Sequence, residues 1–219
     1  MNKTEMINKV GDRVFLNPSP LFSYEYLAKN SLASNTYRGF HKIDKLRPGA
    51  SVVFVEFLLE KKSIIIENLN SATSEIDVSK IEDELCKELL GKLKTNIIND
   101  QLKSYNKLRK PMDIVFQHMN AMGDFIKDRN KIVEFLFLPL DSQIFQSDFV
   151  FSDFEINKLK IKRSFTFKDI DKEKQYKNIQ DFLKDKAKKI GVNHRIYFDL
   201  IWNDRYKSGG RNLFETNPN

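Results

Sequence analysis

Apolar residues recur at Ile81, Leu85, Leu89, Leu93, Ile97, Leu102 and Tyr105, close to the 3.6-residue period of a helix. A stripe of that length needs a partner to bury it, and this limits the chain more than any other single feature. Ser79-Lys80-Ile81-Glu82 has the spacing of a capping box and predicts the helix start. Pro111 suits the first turn of a second helix, whose stripe is Met112, Val115, Met119, Met122 and Ile126. The two are expected to form a long antiparallel hairpin. A third helix is expected from Asp171 to Ile190, with Lys186, Lys188 and Lys189 near its negative end and Gly191 just beyond it. Residues 21–33 carry a weaker helical pattern.

Other segments read as strands. Residues 51–59 and 63–67 are rich in Val, Ile and Phe and nearly continuous in apolar character, which suits a hairpin turning at Glu60-Lys61-Lys62 and covered on both faces. Residues 13–16 and 132–138 have strand character, and 159–167 and 192–202 alternate with a period of two. The expected class is therefore α+β: a mainly antiparallel sheet packed against the long helical hairpin and a third, basic helix. With 219 residues, 41% hydrophobic and including 18 Phe, one core can form without disulfides. The expected organisation is a single domain over residues 1–207 and a flexible or partner-bound tail over 208–219.

Several chemistries lack their residues. Cys86 is the one cysteine, which excludes an internal disulfide and a multi-Cys zinc site, and its helical context predicts a buried thiol. His41, His118 and His194 are isolated, His194 on an apolar register and His118 on a solvated face. Ser208-Gly209-Gly210-Arg211 lacks the form of a phosphate loop. No cofactor and no metal are expected. The polar first ten residues and the absence of an apolar run of about 18 residues predict no membrane span and a cytoplasmic location.

Charge is unevenly placed. Residues 156–219 hold 16 Lys and Arg against 8 Asp and Glu, whereas the first 155 hold 21 against 22. The whole excess of +7 thus lies in the last third, which predicts affinity for a polyanion or an acidic partner. The polyanion-binding candidates are Lys158, Lys160, Lys162, Arg163, Lys177, Lys184, Lys188 and Arg195. Phe145, Phe149, Phe151 and Phe154, in a segment rich in Asp and Ser, are candidates for contact with a protein partner.

The sharpest enzymatic pattern is Glu60-x-Lys62 with Asp44 upstream. This is the Glu-x-Lys spacing of metal-dependent nuclease sites, where two carboxylates hold Mg²⁺ and the Lys orients water. Two functions of different class follow. The first is a non-catalytic structural or adaptor subunit of a larger assembly, such as a phage, secretion or defence complex, with a protein partner or self-association. The alternative is a nucleic-acid-binding protein or a Mg²⁺-dependent nuclease using Asp44, Glu60 and Lys62.

Overall fold

The computed structural model describes residues 2–37 and 39–201. Ten α-helices account for most of them: α1 Lys3–Gly11, α2 Tyr24–Asn30, α3 Ala50–Glu60, α4 Lys62–Ser71, α5 Glu75–Leu93, α6 Tyr105–Met122, α7 Arg129–Phe135, α8 Ser142–Gln146, α9 Asp153–Leu159 and α10 Glu173–Ile190. The protein is 67% helical, and among the described residues β pairing is limited to two isolated bridges, Phe22 with Gly123 and Lys42 with Ile97. The expected α+β class with its antiparallel sheet is overturned: the fold is all-helical. One continuous apolar core runs from Ile7 to Ile201. The expected boundary at residue 207 and the tail over 208–219 lie outside the described residues.

The strand readings fail for identifiable reasons. Residues 51–59 lie in α3, where Val53, Phe54, Phe57 and Leu58 are buried at helical spacing. Residues 63–67 lie in α4, which buries Ile65 and Leu69 one turn apart. Short apolar runs suit either structure, and β-branched content loses here to burial against neighbouring helices. Residues 13–16 close a π-helical turn, 159–167 end α9 and turn at Lys160 in the left-handed region, and Arg195–Ile201 form a buried 3-10 helix.

Of the expected strand over 132–138, residues 132–135 lie in α7; residues 136–140, between α7 and α8, are non-helical and pair with no strand. Their backbone is satisfied by side chains instead. Gln180 of α10 binds both the N–H and the carbonyl of Leu138, at 3.1 and 2.7 Å. Arg195 donates its Nε to the carbonyl of Leu136 at 2.8 Å. A buried backbone needs partners of some kind, and amide and guanidinium groups serve as well as a ladder.

Helix boundaries also shift. α5 starts at the Ser74 cap, so Ser79 and Glu82 sit inside it rather than at its start. Tyr105 opens α6, and Pro111 lies in its interior. The third helix matches expectation, ending at Gly191 with φ 78°.

α6 is the axis of the protein and contacts α2, α5, α7 and α10. It is buried on nearly all sides, yet it carries Asn106, Lys107, Arg109, Asp113, Gln117, His118 and Asn120 as buried polar side chains. Burying such groups is costly unless they are hydrogen-bonded. They act as staples to surrounding segments. Asn106 donates to the carbonyls of Leu140 and Phe167, Lys107 to those of Gly39 and Gln101, and Asn120 to that of Phe15. Burial of His118 corrects its expected solvated position. At the other end, α1 lies so close to Tyr197 that a Cβ on Gly11 would overlap the ring.

Candidate functional site

α5 and α6 meet at a buried ion cluster centred on Arg109. Its Nη2 binds Glu82, and its Nη1 donates to Asp83 Oδ1 at 3.1 Å and the Ser79 carbonyl at 3.3 Å. Its Nε lies 3.7 Å from Asp113, one turn along α6. Tyr176 of α10 directs its hydroxyl at both Asp113 oxygens, at 2.9 and 2.8 Å, and Tyr105 donates to Asp83 at 2.6 Å. The guanidinium also lies 5.1 Å from the ring centroids of Phe137 and Tyr176. The arrangement ties three helices together through one cation.

Arg109, Glu82 and Asp113 have fully buried side chains, whereas that of Asp83 is 31% exposed. Burial drives the Glu82 carboxyl well above its ordinary range, with the Arg109 charge opposing. Burial also raises Asp113 to about 7, opposed by Arg109 and by the hydrogen bond from Tyr176. Glu82 Oε1 has no hydrogen-bond partner. Two sealed carboxyls thus face one guanidinium, and their burial favours the protonated form of each against two buried negative charges. Sealed from solvent, these groups brace helices rather than meet a ligand.

Above the cluster lies an open groove of about 660 Å³ between α5 and α10. Ile76, Phe135 and Phe137 supply its apolar surface, with Ile76 standing 65% exposed. Glu75, Asp83, Glu134 and Asp181 line it with carboxylates, and Lys80, Lys177 and Lys184 with ammonium groups. Asp83 and Phe137 belong to both groove and cluster. Glu75 pairs with Lys184 at 2.6 Å and with buried Arg195 at 2.8 Å. Burial pushes the Glu75 carboxyl up, but Arg195 and Lys184 outweigh it and hold it below its usual range. Lys177 bridges Glu173 at 2.5 Å and Asp83 at 3.7 Å.

The residues expected to bind polyanions divide into two sets. Arg163 pairs with Asp148 and Asp153, Lys177 with Glu173 and Asp83, Lys184 with Glu75, and Arg195 is enclosed. Lys158, Lys160, Lys162 and Lys188 are exposed. Of the four aromatics, Phe145 and Phe151 are fully buried and stacked with centroids 6.0 Å apart, Phe149 packs against the core, and Phe154 is 77% exposed.

The nuclease candidates are each engaged elsewhere. Asp44 lies 3.6 Å from Arg47, Glu60 pairs with Lys92 at 2.6 Å and Lys62 with Glu25 at 2.6 Å. Among the described residues no group of three or more His, Cys, Asp or Glu is placed to hold a metal ion. Cys86 is buried and its thiol is pushed up by that burial. His194 is half-buried, edge-on to Tyr197 with centroids 5.0 Å apart.

Sequence reasoning missed Arg109, Glu82, Asp113 and the groove carboxylates. One signal was available: Val78, Glu82, Leu85, Cys86 and Leu89 share a helical face, so Glu82 occupies an apolar register. Among the described residues no helix is long and apolar enough to cross a membrane. No protein-family model matches the chain, and no curated protein or solved structure matches it either.

Proposed function

We propose that the protein is a non-catalytic structural or adaptor subunit of a larger cytoplasmic assembly, such as a phage, secretion or defence complex, and that the α5–α10 groove seats a segment of its protein partner. The carrying observation is the groove's lining: an apolar floor at Phe135 and Phe137, an exposed Ile76, and four carboxylates interspersed with three ammonium groups. A polypeptide offers apolar side chains and charges of both signs, and so complements such a surface. A polyanion would meet four carboxylates there, at a cost in like-charge contact.

A second reading has its own support. Lys158, Lys160, Lys162 and Lys188 are exposed and have no ion-pair partner among the described residues. Lysines of this kind suit phosphate contacts without base readout, and that binding weakens steeply with salt.

Selection of displayed random peptides on the purified protein, with counter-selection on an Ile76→Asp variant, tests the groove. The reading predicts peptides with apolar residues flanked by charges that bind the wild type and lose affinity for the variant. Peptides indifferent to Ile76→Asp, beside salt-sensitive binding of labelled oligonucleotides, would support the second reading instead.

A further inference from the structure

Residues 41–48 are exposed throughout, yet the loop is firmly built. Lys42 bridges antiparallel to Ile97, with the Ile43 N–H bonded to the Asn96 carbonyl at 2.9 Å and the Ile98 N–H to the His41 carbonyl at 3.0 Å. Asp44 accepts from the Leu46 N–H at 2.7 Å, and Lys42 Nζ donates to the Lys45 carbonyl at 2.6 Å. This scaffold holds Leu46 out at 96% exposure, with Ile43 at 53% on the same loop and Ile98 at 42% on the segment bridged to it. Single exposed apolar residues are ordinary; a hydrogen-bonded loop that presents a nearly bare Leu together with two exposed Ile is a surface suited to contact.

The charges around the tip say what it meets. Lys42, Lys45 and Arg47 lie within four residues of Leu46 and are exposed, and Asp44 offsets only one of them through its contact with Arg47. Aliphatic residues flanked by cations match an anionic bilayer, where hydrocarbon lies beneath a layer of phosphate. Nucleic acid also presents phosphate, but residues 41–48 carry no Phe, Tyr or Trp on which bases would stack. We propose that this loop docks the protein on an anionic lipid surface, with Leu46 inserted among the acyl chains, Ile43 and Ile98 at the boundary, and Lys42, Lys45 and Arg47 on the headgroup phosphates.

Sedimentation of the purified full chain with vesicles tests this, using phosphatidylcholine alone and phosphatidylcholine mixed with phosphatidylserine. Binding is expected to the mixed vesicles only, and Leu46→Asp should reduce it by about tenfold or more, while Phe154→Asp, exposed at another site, leaves it unchanged. Circular dichroism should show both variants folded, because both positions are in water. Cys86 is buried, so a Leu46→Cys variant takes an environment-sensitive dye at position 46, and its emission should shift to the blue on the mixed vesicles. Failure to bind them, equal binding by Leu46→Asp, or an unshifted reporter would overturn the proposal. So would binding of an oligonucleotide that Leu46→Asp abolishes, which would assign the tip to nucleic acid.

Discussion

Gln180 hydrogen-bonds both backbone groups of Leu138, accepting from its N–H at 3.1 Å and donating to its carbonyl at 2.7 Å. One side chain thereby does for an extended segment what a neighbouring strand does in a sheet. Both residues are fully buried, so no water replaces the amide. Gln180→Ala should cost about 2–4 kcal/mol, from two backbone groups left unpaired. Urea denaturation measures it, and the Leu138 amide should lose its protection against hydrogen exchange.

Arg195 and Lys184 pair with the same carboxylate, Glu75, at 2.8 and 2.6 Å, but their side chains are 2% and 58% exposed. Burial rather than distance should set their worth. Lys184→Ala is expected to change stability by less than about 1 kcal/mol. Arg195→Ala should cost about 3–5 kcal/mol, because it strips the carbonyl of Leu136 and leaves Glu75 with only Lys184. Equal effects in denaturation experiments would refute this ranking.

Arg109 faces two sealed carboxyls, so its removal leaves Glu82 and Asp113 without a counter-charge. Arg109→Met should destabilise by about 3–5 kcal/mol. Adding Glu82→Leu should restore part of that loss, since a buried acid without its partner is worse than none. A double variant no more stable than Arg109→Met alone would contradict the role of charge.

Burial raises Asp113 to about 7 from an ordinary 3.8. The folded state holds that proton more tightly than the unfolded chain does. Its stabilising contribution is therefore complete below pH 3.8 and drains away as the pH rises to about 7. Glu82, also raised by burial, acts in the same direction. The thermal midpoint should fall across this window, and Asp113→Asn, which removes the titration, should flatten part of the slope.

The legibility of the fold in the sequence varied by element. The helix ending at Gly191 could be read because its stripe, basic last turn and cap agree. Residues 51–59 could not, since Val and Phe suit a strand and it is tertiary contacts, those with α2 and α5 among them, that select the helix. Residues 132–138 read as a strand, but 132–135 close α7 and 136–138 pair with no strand. The partners of Leu138 and Leu136 are side chains 42 and 59 residues distant. The basic third illustrates the same limit for function. A count of charges registers Arg163 and Lys160 alike, but Arg163 has two carboxylate partners in the fold.

The proposed function rests on the groove between α5 and α10, and photocrosslinking in the protein's native cells tests it most directly. A photoreactive amino acid placed at Ile76, on the groove rim, is expected to yield a discrete adduct with another protein, and the same residue at Phe154 none. Adducts at Phe154 with none at Ile76 would contradict the groove and move the contact to the surface around α9.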